Sequence, residues 1–400
     1  MYKKQTRDKG NLNIGFIFSG GFANWIGGRN YFNSLFSAID SYEIKIYIYV
    51  FCGEKDLLGF DKSIKRIKII KTSALDRWSI CWILGEITKR LVGYNIPLNL
   101  VLKKNKIDVV SHTMSKQALS IKQIAWIPDL QVLYHPELFG FSESKVRLDG
   151  YRSLLNYSDR VIVSSQAASN DCYAVSSKNH SKCRVLSFSV KQIDKTSVSL
   201  YDARQKYKIT GRYMYIPNQF WAHKNHKLVF ESMKELVREF PELMIICSGS
   251  LNDSRNKAYI SELHLSLERD AIKSNVQLLG VIPYEDVMSL MYYSECVINP
   301  SYFEGWSTSV EEAKAMGIPL LVSDIPVHRE QCEQDNVSVK YFNPHCTESF
   351  LSAARTMLNA DTKSINRAER LTQASDHYKL KVREFAEKYV EIVNEVVFDA

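Results

Sequence analysis

The chain has 400 residues, 45% hydrophobic and 24% charged, with a formal net charge of +8. That length exceeds one ordinary core and points to two domains, while the composition excludes disorder. The charged start Met1–Arg7 and the short apolar run Ile14–Phe18 argue against a secretory signal. No run reaches the roughly 20 apolar residues of a membrane-spanning helix; the best, Trp78–Leu102, is interrupted by Glu86, Lys89 and Arg90.

Eight cysteines are scattered without metal-ligand or redox spacing. A reducing, cytoplasmic setting is the expectation. Residues 1–200 carry 29 Lys and Arg against 16 Asp and Glu, and the remainder 23 against 28. The basic first half suggests an anionic partner: a membrane surface, a lipid diphosphate or nucleic acid. An ordinary difference in surface composition is the simpler alternative. Nucleic acid is not expected, because no nucleic-acid motif accompanies the charge.

In chain order, the first predicted strand is Ile14–Ser19, followed by Gly20, Gly21 and Arg29. These glycines allow a tight turn and close backbone approach to a ligand. They match neither the dinucleotide fingerprint nor a phosphate-binding loop, so nicotinamide and ATP chemistry lose support. Strands follow at Ile44–Phe51, Asp108–Ser111 and Gln123–Ile127. Between them, Trp78, Trp82, Lys89, Arg90, Lys103, Lys104 and Lys106 read either as a membrane-surface contact or as core with a solvated basic edge. After Ile127, Asp129 and His135 are candidate polar groups on the acceptor side, or merely turn and structural residues. Strands at Arg160–Ser164 and Arg184–Phe188 complete a first domain, 1–195, and a polar stretch near 191–208 marks its end.

The second domain, 205–375, opens with strand Tyr213–Ile216 and the loop Asn218, Gln219, His223, Lys224 before a helix at His226–Phe240. Lys224 could neutralise phosphate charge or simply start that helix. Strands Leu243–Ser248, Val276–Leu279 and Val297–Asn299 follow, with a helix at Asp286–Ser294. After Asn299 a loop carries Glu304, Gly305 and Trp306, and a helix starts near Ser307 or Thr308. Free N–H groups at such a helix start suit a diphosphate. Glu304 could accept from sugar hydroxyls, and Glu312 from a ribose. Capping boxes Thr308–Glu311 or Ser309–Glu312 are the structural alternative. Strands Pro319–Val322 and Val337–Tyr341 come next, and a long amphipathic helix, within 376–400, could cross back to the first domain.

Alternating strands and helices of this kind predict an α/β fold with parallel sheets. Glu304 and Glu312, with Pro217–His226, Ser323–Gln331 and Trp126–Asp129, make the chain resemble the retaining glycosyltransferases of family 4. The resemblance covers most of the chain. It implies a GT-B fold, two Rossmann-like domains with a cleft between them. It further implies a metal-independent transferase without cofactor. Its partners would be a nucleotide sugar and a lipid-linked or oligosaccharide acceptor at the inner face of the membrane, as in O-antigen or capsule assembly. Glu304 and Lys224 would act in catalysis, with Asn218, Gln219, His223, Gly305–Thr308 and Glu312 on the donor. The family's phosphate-binding Arg is replaced by Gln219, and Val132 stands where relatives often carry His. A catalytically silent subunit, an epimerase or a phosphorylase on the same plan are the alternatives.

Overall fold

The computed structural model describes residues 11–398, apart from 19–21, 23–24, 43–44, 57, 62, 116–117, 192–197, 254, 257, 270–271, 334–336 and 361–366. Contacts divide the chain into two units. One comprises Met1–Leu130, Glu143–Lys191 and Val382–Ala400; the other comprises Gln131–Ser142 and Gln192–Lys381.

In the first unit the order is β1 (Leu12–Ile17), α1 (Ile26–Ser41), β2 (Ile46–Cys52), β3 (Ile67–Lys71), α2 (Ile80–Val92), α3 (Ile96–Lys104), β4 (Val109–Thr113), β5 (Lys122–Ile127), α4 (Gly140–Tyr157), β6 (Arg160–Val163), α5 (Gln166–Val175) and β7 (Cys183–Val185). Its parallel sheet runs β3-β2-β1-β4-β5-β6-β7. Strand β3 was not anticipated. Its sequence Ile-Lys-Ile-Ile-Lys lies at the sheet edge, where lysines face water and no continuous apolar run is needed.

The second unit continues with α6 (Leu200–Tyr207), β8 (Tyr213–Ile216), α7 (His226–Glu239), β9 (Met244–Cys247), α8 (Tyr259–Arg269), β10 (Val276–Leu278), α9 (Tyr284–Tyr293), β11 (Val297–Asn299), α10 (Thr308–Ala315), β12 (Leu320–Ser323), α11 (Pro326–Cys332), β13 (Val339–Phe342) and α12 (Thr347–Asn359). The parallel order is β10-β9-β8-β11-β12-β13. Helices cover both faces, so β8, β9, β11 and β12 are buried throughout and lack polar alternation. On α7, Leu228, Val229, Met233 and Leu236 recur at helical spacing and join the core on one face of this sheet.

The last helix, α13 (Arg367–Phe398), begins well ahead of the expected 376–400 segment. Its final turns pack in the first unit, where Phe385 and Tyr389 meet Tyr31 and Phe16, and Glu395 pairs with Arg160 and Arg184 at 2.9 and 2.8 Å.

Candidate functional site

In a doubly wound sheet, ligands bind beyond the strand carboxyl ends where the strand order reverses. In the second unit that point lies between β8 and β11. The loops leaving these two strands hold each other. Asn225, in the left-handed region at φ 54°, directs Nδ2 to the carbonyls of Pro300 and Pro344 at 3.1 and 3.0 Å. The Tyr302 N–H donates to His223 O at 2.8 Å. Gly249, after β9, has φ 139°, and a Cβ there would run into Asn218 O, so only glycine admits so close a crossing.

This frame brings Lys224 and Glu304 together. Lys224 Nζ donates to Glu304 Oε1 at 2.6 Å, with side chains 14% and 8% exposed. The same oxygen accepts from Ser301 Oγ at 2.7 Å and Asn299 Nδ2 at 3.2 Å. Burial pushes the Glu304 carboxyl up, but Lys224 foremost, with His328 and Ser301, outweighs it and holds the pKa at about 2. Glu304 is therefore held as an anion against Lys224 Nζ.

Helix α10 starts at Thr308, as expected, but neither capping box forms. Ser307 is the N-cap, accepting from the Val310 N–H at 3.4 Å. Glu311 turns inward to Lys314 Nζ at 2.8 Å, Gln331 Nε2 at 2.9 Å and Tyr378 OH at 2.6 Å. Glu312 instead accepts from Tyr284 OH at 3.0 Å, and burial raises its pKa to about 7. The row of N–H donors expected at this helix start is narrower than predicted. Ser307 N–H is directed to Gln331 Oε1 at 3.3 Å, while Gly305, Trp306 and Thr308 stay on the loop and first turn beside Glu304.

Gln219 is half committed, since its Oε1 accepts the Ser250 N–H at 3.0 Å. His226, at the start of α7, is fully buried and stacked on Phe220 at 4.1 Å, with its pKa driven by burial to about 3. His223 is buried and its pKa is pushed well down by desolvation, so it stands neutral beside Lys224. Arg255 was missed in the sequence. Its guanidinium lies over Trp221, 4.9 Å from the ring centroid, with Asp253 and Gln131 as polar partners at 3.6 and 3.2 Å. No spacing pattern marks it, because it arrives from the loop after β9.

Around the Lys224–Glu304 pair, Asn218 Nδ2, His223 Nδ1 and His328 Nε2 are among the side-chain atoms buried without a hydrogen-bond partner among the described residues. His328 bonds Ser323 O through Nδ1 at 2.9 Å, which leaves Nε2 as an acceptor. Buried groups in this state call for an explanation, and the polar atoms of a bound ligand would supply one here. His328 and Gln331 belong to the Ser323–Gln331 segment read in the sequence, although neither was singled out.

The acceptor-side candidates separate. Asp129 lies after β5 in the first unit, where its charge raises the pKa of Tyr151 on α4 further after burial. His135 falls in the second unit, bonded to Glu137 at 3.0 Å and with its ring 6.3 Å from Tyr302, so it borders the Glu304 loop rather than grouping with Asp129. Arg29 is on α1 against Gly59. Gly20 and Gly21 lie outside the described residues. A cavity of about 450 Å³ does open in the first unit, at the corresponding reversal between β1 and β4. Phe22, Trp25, His112, Trp82, Glu86 and Lys89 help line it.

Among the described residues, no group of three or more His, Cys, Asp or Glu is placed to hold a metal ion. Residues 202–375 match the family model described as glycosyl transferases group 1. An uncharacterized glycosyltransferase of Methanocaldococcus jannaschii is 22% identical over 63% of this chain and 59% of its own length. The O-antigen chain mannosyltransferase of Salmonella typhimurium is 23% identical over 66% and 69%. The crystal structure of Anabaena HepE in complex with UDP and glucose superposes with a TM-score of 0.65 at 14% identity, covering 95% of this chain and 99% of that one. That likeness establishes the fold as GT-B, two Rossmann-like domains.

Proposed function

We propose that the chain, whose residues 202–375 match the group 1 glycosyl transferases, is a glycosyltransferase that moves a hexose or deoxyhexose from a nucleotide sugar to a lipid-linked oligosaccharide, with retention of configuration, in O-antigen or capsule assembly. The observation that carries the donor reading is the Lys224–Glu304 pair at the β8/β11 reversal, ringed by unsatisfied Asn218, His223 and His328 atoms. The UDP-bound structural neighbour supports a nucleotide donor, and the O-antigen relative supports the pathway.

In this reading the donor diphosphate draws Lys224 Nζ toward itself, and Glu304 turns its carboxylate to sugar hydroxyls. Arg255 adds the second cation that Gln219 lacks. Glu312 accepts from the ribose. As the C1–O bond to phosphate breaks, charge grows on the departing nucleoside diphosphate, where Lys224 and the Thr308 N–H stabilise it. The acceptor hydroxyl attacks C1 from the same face, forming the new C1–O bond. Its proton passes to the leaving phosphate oxygen, so no enzyme nucleophile, metal or cofactor enters. The cavity of the first unit takes the acceptor.

Incubating the protein with nucleotide sugars and a lipid-linked oligosaccharide extract, and assigning the product anomer by NMR, tests this. A glycosylated lipid of retained configuration is expected. An inverted product would remove the mechanism, and nucleotide-sugar hydrolysis or isomerisation that ignores the acceptor would remove the transferase.

A further inference from the structure

Helix α2 is amphipathic with its polarity reversed. Ile80, Ile83, Leu84, Ile87 and Leu91 recur at helical spacing, which ordinarily marks a core face. All five face solvent, Ile80 and Leu91 at 77% and 78% exposure. The opposite side, Trp82, Glu86 and Lys89, walls the cavity of the first unit. Ten of the 26 large apolar side chains exposed among the described residues fall between residues 78 and 100, with Ile96 and Leu100 continuing the stripe along α3. An apolar surface this concentrated is a contact site.

The hairpin that carries it is firmly built. Ser79 caps α2 through the Trp82 N–H at 3.0 Å, Gly93 ends the helix at φ 79°, and Asn95 caps α3 through the Leu98 N–H at 3.1 Å. A Cβ on Gly85 would lie 2.7 Å from Asn95 Oδ1, so glycine is what lets the helices close on each other. Leu98 and Leu102 anchor α3 in the core. The outward stripe is thus held in place by packing on its far side.

We propose that the outer face of α2 and α3 seats the protein on an anionic membrane surface. Between residues 77 and 106, the five basic residues Arg77, Arg90, Lys103, Lys104 and Lys106 stand away from the cavity wall, and the one acidic residue, Glu86, lies on that wall with Lys89. Glu86 is answered by Lys89 at 3.7 Å. At 13 residues, α2 is about 20 Å long. That is too short to cross a bilayer, and an apolar stripe rimmed by cations fits a helix lying in the headgroup boundary. Trp78, 70% exposed at the start of the stripe with Arg77 over its ring at 5.2 Å, suits that interface. A second copy of the chain fits poorly, because a two-fold contact would set this basic face against itself. The inference concerns where the protein sits and stands apart from which sugar it transfers.

Flotation of the purified protein with vesicles of phosphatidylcholine alone, or with phosphatidylglycerol added, tests the proposal. Binding is expected only with the anionic lipid, weakening as salt rises. The Ile80→Ser/Leu91→Ser variant alters two exposed side chains, so it keeps the wild-type melting temperature and loses flotation. Lys103→Gln/Lys104→Gln lowers binding by about fivefold per lysine. Trp emission shifts to the blue on vesicle addition, less so in Trp78→Phe. Absence of binding at low salt, or flotation unchanged in both double variants, overturns the proposal. So does a wild-type dimer that the Ile80→Ser/Leu91→Ser variant dissolves, since that assigns the face to a second copy. Activity on a detergent-dispersed acceptor is unaffected by these variants, so failure here is distinct from failure of the transferase reading.

Discussion

Lys224 Nζ lies 2.6 Å from Glu304 Oε1, which joins the loop after β8 to the loop after β11 through a buried ion pair. Removing one partner leaves the other charge buried, at a typical cost of about 3–5 kcal/mol. Glu304→Ala is therefore expected to lower the melting temperature and abolish transfer. Glu304→Gln keeps an acceptor for Ser301 and Asn299, folds better, and still loses transfer by at least about a hundredfold, roughly 3 kcal/mol. Calorimetry beside single-turnover kinetics separates the two effects.

Glu311 and Glu312 are neighbours in sequence with opposite assignments. Glu311 serves Lys314, Gln331 and Tyr378 in the core, so Glu311→Gln lowers the melting temperature while leaving the KM for nucleotide sugar near wild type. Glu312→Gln does the reverse, raising KM with little change in stability. Thermal melts and steady-state kinetics of the two variants check this exchange of phenotypes.

The pH dependence of Glu312 has a definite sign. Its folded pKa is raised to about 7 by burial, so the folded state holds a proton that the unfolded chain has released above about 4.3. Its contribution to stability is present below that unfolded value and is lost as pH rises toward 7. Glu304, at about 2, behaves oppositely: its contribution is present above the unfolded value and lost as pH falls toward 2. If Glu312 accepts from the ribose as a carboxylate, as proposed, affinity for an intact nucleotide sugar is expected to rise between about pH 6 and 8, within about a unit of this pKa. Titration calorimetry should show that rise in the wild type and a flat profile in Glu312→Gln.

Arg255 is expected to contribute charge to the diphosphate. Arg255→Ala should weaken nucleotide-sugar binding by about tenfold, close to 1.4 kcal/mol. Adding Gln219→Arg to that variant should recover affinity, because a cation returns to the neighbouring loop. Affinity unchanged in Arg255→Ala would assign the residue to packing against Trp221 and Phe139.

The fold was legible because buried parallel strands announce themselves: Met-Ile-Ile-Cys in β9 and Val-Ile-Asn in β11 need apolar side chains on both faces. Strand β3 escaped because an edge strand tolerates lysines. Glu304, Lys224 and Glu312 were readable since each follows a strand or opens a helix in a fixed sequence context. Asn218, His223 and His328 show their unsatisfied atoms only when loops distant in sequence converge, and Arg255 reaches Trp221 through such a convergence. Helix α2 shows the opposite limit. Its apolar spacing is identical whether the stripe faces core or solvent, and the tertiary packing of the other side, including Gly85 on Asn95, decides.

The central claim is a nucleotide-sugar site built on Lys224 and Glu304. Its most direct test is a thermal-shift screen of wild type and Lys224→Ala against UDP-, GDP- and dTDP-sugars. A ligand at about 100 times its Kd adds roughly 2.7 kcal/mol of stability, a readable rise in melting temperature. The account predicts a shift with one nucleotide class that disappears in Lys224→Ala. A shift of equal size in the variant, or none with any nucleotide sugar, would contradict it.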